Sequence, residues 1–376
     1  MRNFLFNPKS RVLWLLAFLP LLISGCSFNV QTGNNSVSTS DVGGVLVSSD
    51  KGDHWKQLSA LFNGSCPPDS IASVSVNNFY SDPSDSSAVY AATDQGLFYT
   101  YNVVRGWNKA SGGLPQASVS NVTVDPKNKC VILAASGNKL FRSDDCSRNW
   151  TPIYTDNNQS VHVNAAAIDP QDDRNIYLGT SRGDIIKSLD GGLSWRTIQR
   201  LDDGVRDLLI NPNDNKVIFA VTTKNSLYRF NGNAAIANLD DPKDLASRFD
   251  GANWIDLNSG LKDLPAGAIF RSLSLARDNS LFLATDKILL KSVDNGQSWT
   301  KLNLLTPEAE TSINAAAVNP QDTKEVYYIT KSTFYRSADG GQNWITRQVV
   351  TARPASSLLI DFNNPQVIYL GVQKVQ

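Results

Sequence analysis

Histidine is almost missing from this chain. His54 and His162 are the only two in 376 residues, and neither stands at metal-ligand spacing to a second histidine or a cysteine, which excludes the usual zinc patterns. No glycine-rich loop follows a strand and opens a helix, so the common phosphate-cradling motifs are excluded as well. No metal and no cofactor are expected. Helical periodicity is lacking throughout, and the globular part therefore reads as all-β. The longest apolar stretch, Val12 to Ile23, runs for about a dozen residues, short against the roughly 20 needed to span a bilayer. An excess of charge is lacking too, with 35 basic residues facing 35 acidic ones.

Arg2, Lys9 and Arg11 precede that apolar stretch as a positive region, and it ends in Ile23-Ser24-Gly25-Cys26. Residues 1–25 therefore read as an export signal peptide, with a spanning helix as the alternative. The small residues ending in cysteine resemble the lipobox of bacterial lipoproteins. That resemblance implies cleavage before Cys26, a lipid on its sulfur, and an exported chain anchored to the cell envelope on its periplasmic or surface face. Without the three basic residues of the signal, 32 basic residues remain against 35 acidic, and a net charge of about −3 argues against a nucleic-acid partner. Residues 26–42 are polar with almost no large apolar side chains and read as a flexible tether. The folded body is expected over 43–376.

Cys66 lies in "NGSCPPDS" without an obvious partner. Cys130 and Cys146 occupy nearly mirror positions about Gly137-Asn138, at facing ends of an expected hairpin, and a disulfide between them suits an exported protein; two free thiols are the alternative.

What the sequence has in abundance is one repeated turn. Ser48 to Trp55, Ser188 to Trp195, Ser292 to Trp299 and Ser337 to Trp344 all fit S-x-D-x-G-x-x-W. Ser143 to Trp150 keeps the serine, Asp145 and the tryptophan but has Ser147 in place of glycine. The segment ending at Trp107 has decayed further, and the one ending at Trp254 is interrupted by an insertion at 231–253, in which "DPKDLASRF" could form a short helix. These seven tryptophans are separated by 52, 43, 45, 59, 45 and 45 residues, the period of an architecture whose unit is one small sheet. Within the unit ending at Trp195, "VNAAAIDP", "NIYLGTS", "DIIKSL" and "SWRTI" read as four short strands bounded by turn residues.

Four-stranded units repeated about seven times most simply close into a seven-bladed β-propeller. Only the last two strands of a unit precede Trp55, and only the first two follow Trp344, so N- and C-terminal strands are expected to share one blade. Ala165 to Ala167 and Ala315 to Ala317 suit first strands crowded at the axis, and the tryptophans suit the gaps between splayed sheets.

The repeated turn resembles the Asp-box, or bacterial neuraminidase repeat, over nearly the whole body. Its local chemistry is an Asp accepting backbone N–H groups two residues on and a glycine in the left-handed conformation. Asp50, Asp145, Asp190, Asp294 and Asp339, with Trp55, Trp150, Trp195, Trp299 and Trp344, are thereby expected to be scaffold residues. The resemblance spans sialidases, xyloglucan-cleaving glycosidases, sortilin-type receptor ectodomains and photosystem II assembly factors, so it leaves function open. The Phe/Tyr-Arg-Ile-Pro stretch that accompanies sialidase chemistry does not occur.

Two carboxylates across a cleft could hydrolyse a glycoside, and Asp202, Asp203, Asp207, Glu308 and Glu310 supply candidate acids that also read as solvated loop residues. Counting five residues back from the end of each first strand gives Ser120, Asn164, Arg206, Arg271, Asn314 and Ser356, expected to ring one mouth of the channel. Arg206 and Arg271, with Arg182 and Asp207 close by, form a candidate anion or carboxylate site; rim charges paired with Asp202 or Asp207 are the alternative. The functional expectation is a monomeric, non-catalytic interaction or assembly scaffold with an envelope protein as partner. The competing expectation is a glycan-binding or glycan-cleaving surface protein.

Overall fold

The computed structural model describes residues 42–63, 65, 68–85, 87–231, 254–308, 310 and 312–374. The signal peptide, Cys26 with most of the tether, Cys66, and the insertion beyond its first residue lie outside the described residues.

One blade shows how the sequence makes all of them. Val163–Ile168, Ile176–Thr180, Asp184–Ser188 and Arg196–Arg200 pair antiparallel in that order. The first strand stops at Asp169-Pro170, because proline cannot donate to the ladder and the Asp169 carboxylate accepts the N–H of Gln171 at 2.8 Å, closing a local turn. Asp82, Asp125, Asn211 and Asn319 end their strands in the same way, each before a proline. The second strand is buried along its whole length, since both of its faces meet neighbouring sheets. The fourth is largely exposed.

Seven such four-stranded sheets make a seven-bladed, all-β propeller. The inner strands begin at Val76, Asn121, Val163, Val205, Phe270, Ile313 and Ala355. Each packs on the next, and the last packs on the first, so the ring is closed. The closing blade combines Ala355–Ile360 and Ile368–Val372 with Val45–Ser48 and Lys56–Gln57. Its central ladder pairs Val45 with Gly371 and Ser48 with Ile368.

The core is divided among the seams rather than gathered in one place. Seven apolar clusters each join two adjacent blades. Every cluster holds one of the seven tryptophans, buried for Trp107 and Trp150 and partly buried for Trp55, Trp195, Trp254, Trp299 and Trp344. Some of the indoles also bridge blades: Trp195 donates to Ile153 O at 2.8 Å and Trp344 to Asn303 O at 2.8 Å, both in the preceding blade. Near the axis the blades touch backbone to side chain. A Cβ on Gly179 would overlap Val205, and one on Gly371 would overlap Val76.

Candidate functional site

The repeated turns lie between the third and fourth strands of their blades, distributed around the ring, and their chemistry is internal. Ser188 Oγ accepts the N–H of Asp190 at 3.3 Å and of Gly192 at 2.8 Å, and donates to Asp190 Oδ1 at 2.7 Å. Asp190 Oδ1 in turn accepts the N–H of Ser194, four residues on. This corrects the expected geometry: serine caps the residue two along, while aspartate reaches four along, to the residue before the tryptophan. Asp50, Asp145, Asp294 and Asp339 do the same. Two consecutive residues adopt positive φ here, as at Gly191 and Gly192 with 73° and 99°.

A second device holds these turns from outside. Arg142, Arg229 and Arg336 sit on third strands and donate to Gly191 O, Asn295 O and Lys51 O of the following blade, at 3.0, 2.9 and 3.2 Å. Each acceptor immediately precedes the glycine of the turn. No sequence motif marked these arginines, because a carbonyl partner is available at every residue.

In the turn that lacks glycine, Cys146 and Ser147 take φ values of 59° and 69°, where a side chain is unfavourable. Cys146 N–H donates to Cys130 O at 3.1 Å, and the two sulfurs are joined, with Cα atoms 4.0 Å apart and a sequence separation of 16. The link restrains the turn that lacks the usual glycine. Cys146→Ser is expected to cost roughly 3 kcal/mol from loop closure alone, read as a lower melting temperature in the oxidised protein that disappears under reductant. Equal melting of the wild type with and without reductant would count against the link.

At the channel mouth, six inner strands slip register by one residue at the same place. The slip leaves Asn77, Asn164, Arg206, Arg271, Asn314 and Ser356 as bulge residues, with Ser120 at the equivalent place ahead of the remaining strand. Counting back five from Asp82 would have added Asn77 to the expected ring. Five of the seven side chains lace one blade to the next. Asn77 Nδ2 donates to Val119 O, Ser120 Oγ to Val163 O, Asn164 Nδ2 to Val205 O, Arg206 Nη1 to Phe270 O and Arg271 Nε to Ile313 O, at 2.6 to 3.1 Å. Asn314 instead accepts the N–H of Lys331 in its own blade.

The structure thus places Arg206 and Arg271 on consecutive blades but turns both onto backbone carbonyls. Arg182 does not join them: its guanidinium binds Asp184 at 2.6 Å and Asp156 at 3.2 Å, because those carboxylates are buried and need a cation. The Asp207 carboxyl is pushed up to about 6 by burial, against the pull of Arg206. Among the loop acids, Asp203 pairs with Lys224 at 2.6 Å and Glu308 pairs with Lys301.

The turn aspartates shift the opposite way. The N–H and side chain of Asn149 hold Asp145 down to about 2. Ser194 and Asn343 do this for Asp190 and Asp339. At Asp50 and Asp294 burial raises the carboxyl, and hydrogen bonds from His54 and Ser298 outweigh it to leave about 2. A depressed carboxyl stabilises the fold above its ordinary 3.8 and loses that contribution as pH falls through the folded value. Asp207 has the reverse sign: its penalty sets in as pH rises from 3.8 to about 6. Asp207→Asn is therefore expected to raise the melting temperature at neutral pH and leave it unchanged near the ordinary carboxyl value, whereas Asp190→Asn flattens the acid limb. Melting curves across that range read both.

A larger space lies elsewhere at the same mouth. A cavity of about 740 Å³ opens beside the starts of the inner strands at Val76 and Ala355 and is lined in part by Asn77, Asp94, Ser356, Gln373 and Lys374. It falls within the size range of small-molecule sites.

These features define a seven-bladed β-propeller whose repeated turns are internally satisfied and whose channel mouth is polar. Among solved structures, the chain is similar to the GH74 xyloglucanase from Xanthomonas campestris, with TM-score 0.62 and 16% identity over 80% of this chain and 51% of that one. It is also similar to YCF48 bound to a D1 peptide, with TM-score 0.57 and 15% identity over 80% of this chain and 94% of that one. YCF48 from Cyanidioschyzon merolae gives TM-score 0.56 and 13% identity over 80% and 96%. The chain spans about half the length of the xyloglucanase it matches. At these identities the likeness is one of fold. No family model matches the chain, and no curated protein matches it.

Proposed function

We propose that this chain is an exported, lipid-anchored propeller of the bacterial envelope that acts as a non-catalytic scaffold for protein interaction or assembly, its repeated turns being structural Asp-boxes. The observation that supports it is the engagement of two candidate acids, Asp203 with Lys224 and Glu308 with Lys301, while Asp207 is half-buried next to Arg206 on the same strand. Carboxylates already engaged by lysines are poor candidates for the free facing pair that glycoside hydrolysis needs. The neighbour solved with a D1 peptide agrees with a protein ligand, since the chain covers nearly all of that propeller.

The likeness to a xyloglucanase favours the second reading, glycan binding or cleavage. Pull-down from envelope extracts, run beside hydrolysis assays on xyloglucan, separates them. The scaffold reading expects a stoichiometric protein partner and no released sugar; cleavage with no protein recovered would overturn it. For the anchor, Cys26→Ala is expected to move the protein from the membrane fraction to the soluble one and to remove an acyl mass increment. A variant that stays with the membrane would show that another element holds it there.

A further inference from the structure

The lacing at the channel mouth is missing at two seams: Asn314 is engaged within its own blade, whereas Ser356 has no partner, and the cavity lies at the Ser356 seam. At five seams a bulge side chain donates to a carbonyl at the start of the next inner strand, and by that pattern Ser356 would donate to Val76 O. It does not: the Ser356 hydroxyl is buried and has no hydrogen-bond partner. A buried hydroxyl left unmade is costly, on the order of 1–3 kcal/mol, and such an atom in a native fold calls for a partner. The space beside it, about 740 Å³, is lined by Val76 and Ser356 themselves.

The remaining lining sets the chemistry of that partner. Asp94 spends one carboxylate oxygen on the N–H of Ser75, at 2.8 Å. Lys374 reaches the rim through its own backbone, whose N–H donates to Ser75 Oγ at 2.9 Å. Among the described residues neither Asp94 nor Lys374 is in an ion pair. Asn77 donates through Nδ2 and keeps its amide oxygen as an acceptor. Among the described residues the lining contains no aromatic ring, the flat apolar surface on which a sugar face would stack. One anion, one cation, amide groups and a hydroxyl match a ligand with an ammonium, a carboxylate and peptide groups between them.

We infer that the cavity between the first and last blades is a binding site for a zwitterionic peptide-like ligand, an amino acid or short oligopeptide. Asp94 takes its ammonium, Lys374 its carboxylate, and Ser356 with Asn77 its amide groups. Free small ligands test the site directly, without a partner protein.

The test is calorimetric titration of the full chain with triglycine, its N-acetylated form, its C-terminal amide, and cellotetraose as the sugar control. Triglycine is expected to bind, and blocking either terminus to weaken it about tenfold, which is about 1.4 kcal/mol. Lys374→Met and Asp94→Asn should each lower affinity by about the same factor, because each removes one charge contact. Lys374 is exposed, so its variant keeps the wild-type fold and secures the test if the inner substitutions do not. Ser356→Val should weaken triglycine without changing the preference for free termini. No saturable heat up to about 10 mM triglycine, equal binding of the blocked peptides, or preference for cellotetraose would overturn the assignment.

Discussion

A chain ended after Val350 is expected to lose cooperative folding. The missing part supplies Ala355–Ile360 and Ile368–Val372, the inner half of the closing blade. Ile360, Ile368, Leu370 and Val372 are buried there, and at roughly 2 kcal/mol for each apolar side chain they contribute about 8 kcal/mol. The ladder from Val45 to Ser48 goes with them. That loss is comparable to the whole stability of an ordinary domain, about 5–15 kcal/mol. Lys51 to Glu325 and Arg347 to Asp53 would still tie the outer strands to the preceding blade. These partly exposed pairs are worth little on their own, and the strand Val45–Ser48 would be left as a bare edge open to aggregation. Limited proteolysis and size-exclusion chromatography should show a degraded or aggregated product. Deleting 27–40, which the sequence reads as tether, should leave melting unchanged. A truncated form that melted with the intact protein would mean that the ring does not depend on these strands.

The repeat was legible because each blade reuses residue types that have few substitutes. A proline after Asp or Asn ends a strand, a Ser-x-Asp pair caps a turn, and one tryptophan fills one seam, so the period of about 45 residues counts blades directly. Even decayed turns preserve the chemistry: Thr100 and Asn102 replace Ser and Asp before Trp107, with Asn102 N–H donating to Thr100 Oγ1 at 3.0 Å. The channel mouth was legible only as positions. Residues at this position are Asn, Ser or Arg, and what five of the seven share is a donor reaching a carbonyl in the next blade, a demand several side chains meet. Arg206 and Arg271 therefore looked like a charge site in sequence and act in the structure as two of five laces. Arg229 gave no signal for the same reason, and the cavity gave none because it arises where a bond is missing.

The tryptophans do not all carry equal weight, and Trp107→Ala should be the costliest of the seven. Trp107 is the largest fully buried side chain, and its indole N–H donates to Leu58 O at 2.8 Å across the seam between the closing blade and the first. Truncation removes the packing, leaves a cavity and orphans that carbonyl, for about 3–5 kcal/mol. Trp344 is only partly buried, so Trp344→Ala, which breaks the equivalent bond to Asn303 O, should cost about 1–2 kcal/mol. At about 2–4 °C per kcal/mol for a large domain, the two variants should melt roughly 5–10 °C apart, and Trp107→Phe should lie between them by restoring the ring without the donor. Trp107 and Trp344 variants melting together would mean that the seams share load evenly. The physical reason to expect otherwise is local. The Trp107 seam is the one where Ser356 makes no lace at the axis and the 740 Å³ cavity opens. There the outer tryptophan, in one apolar cluster with Tyr369, Phe79 and Val76, supplies cohesion that the five laced seams draw from both ends.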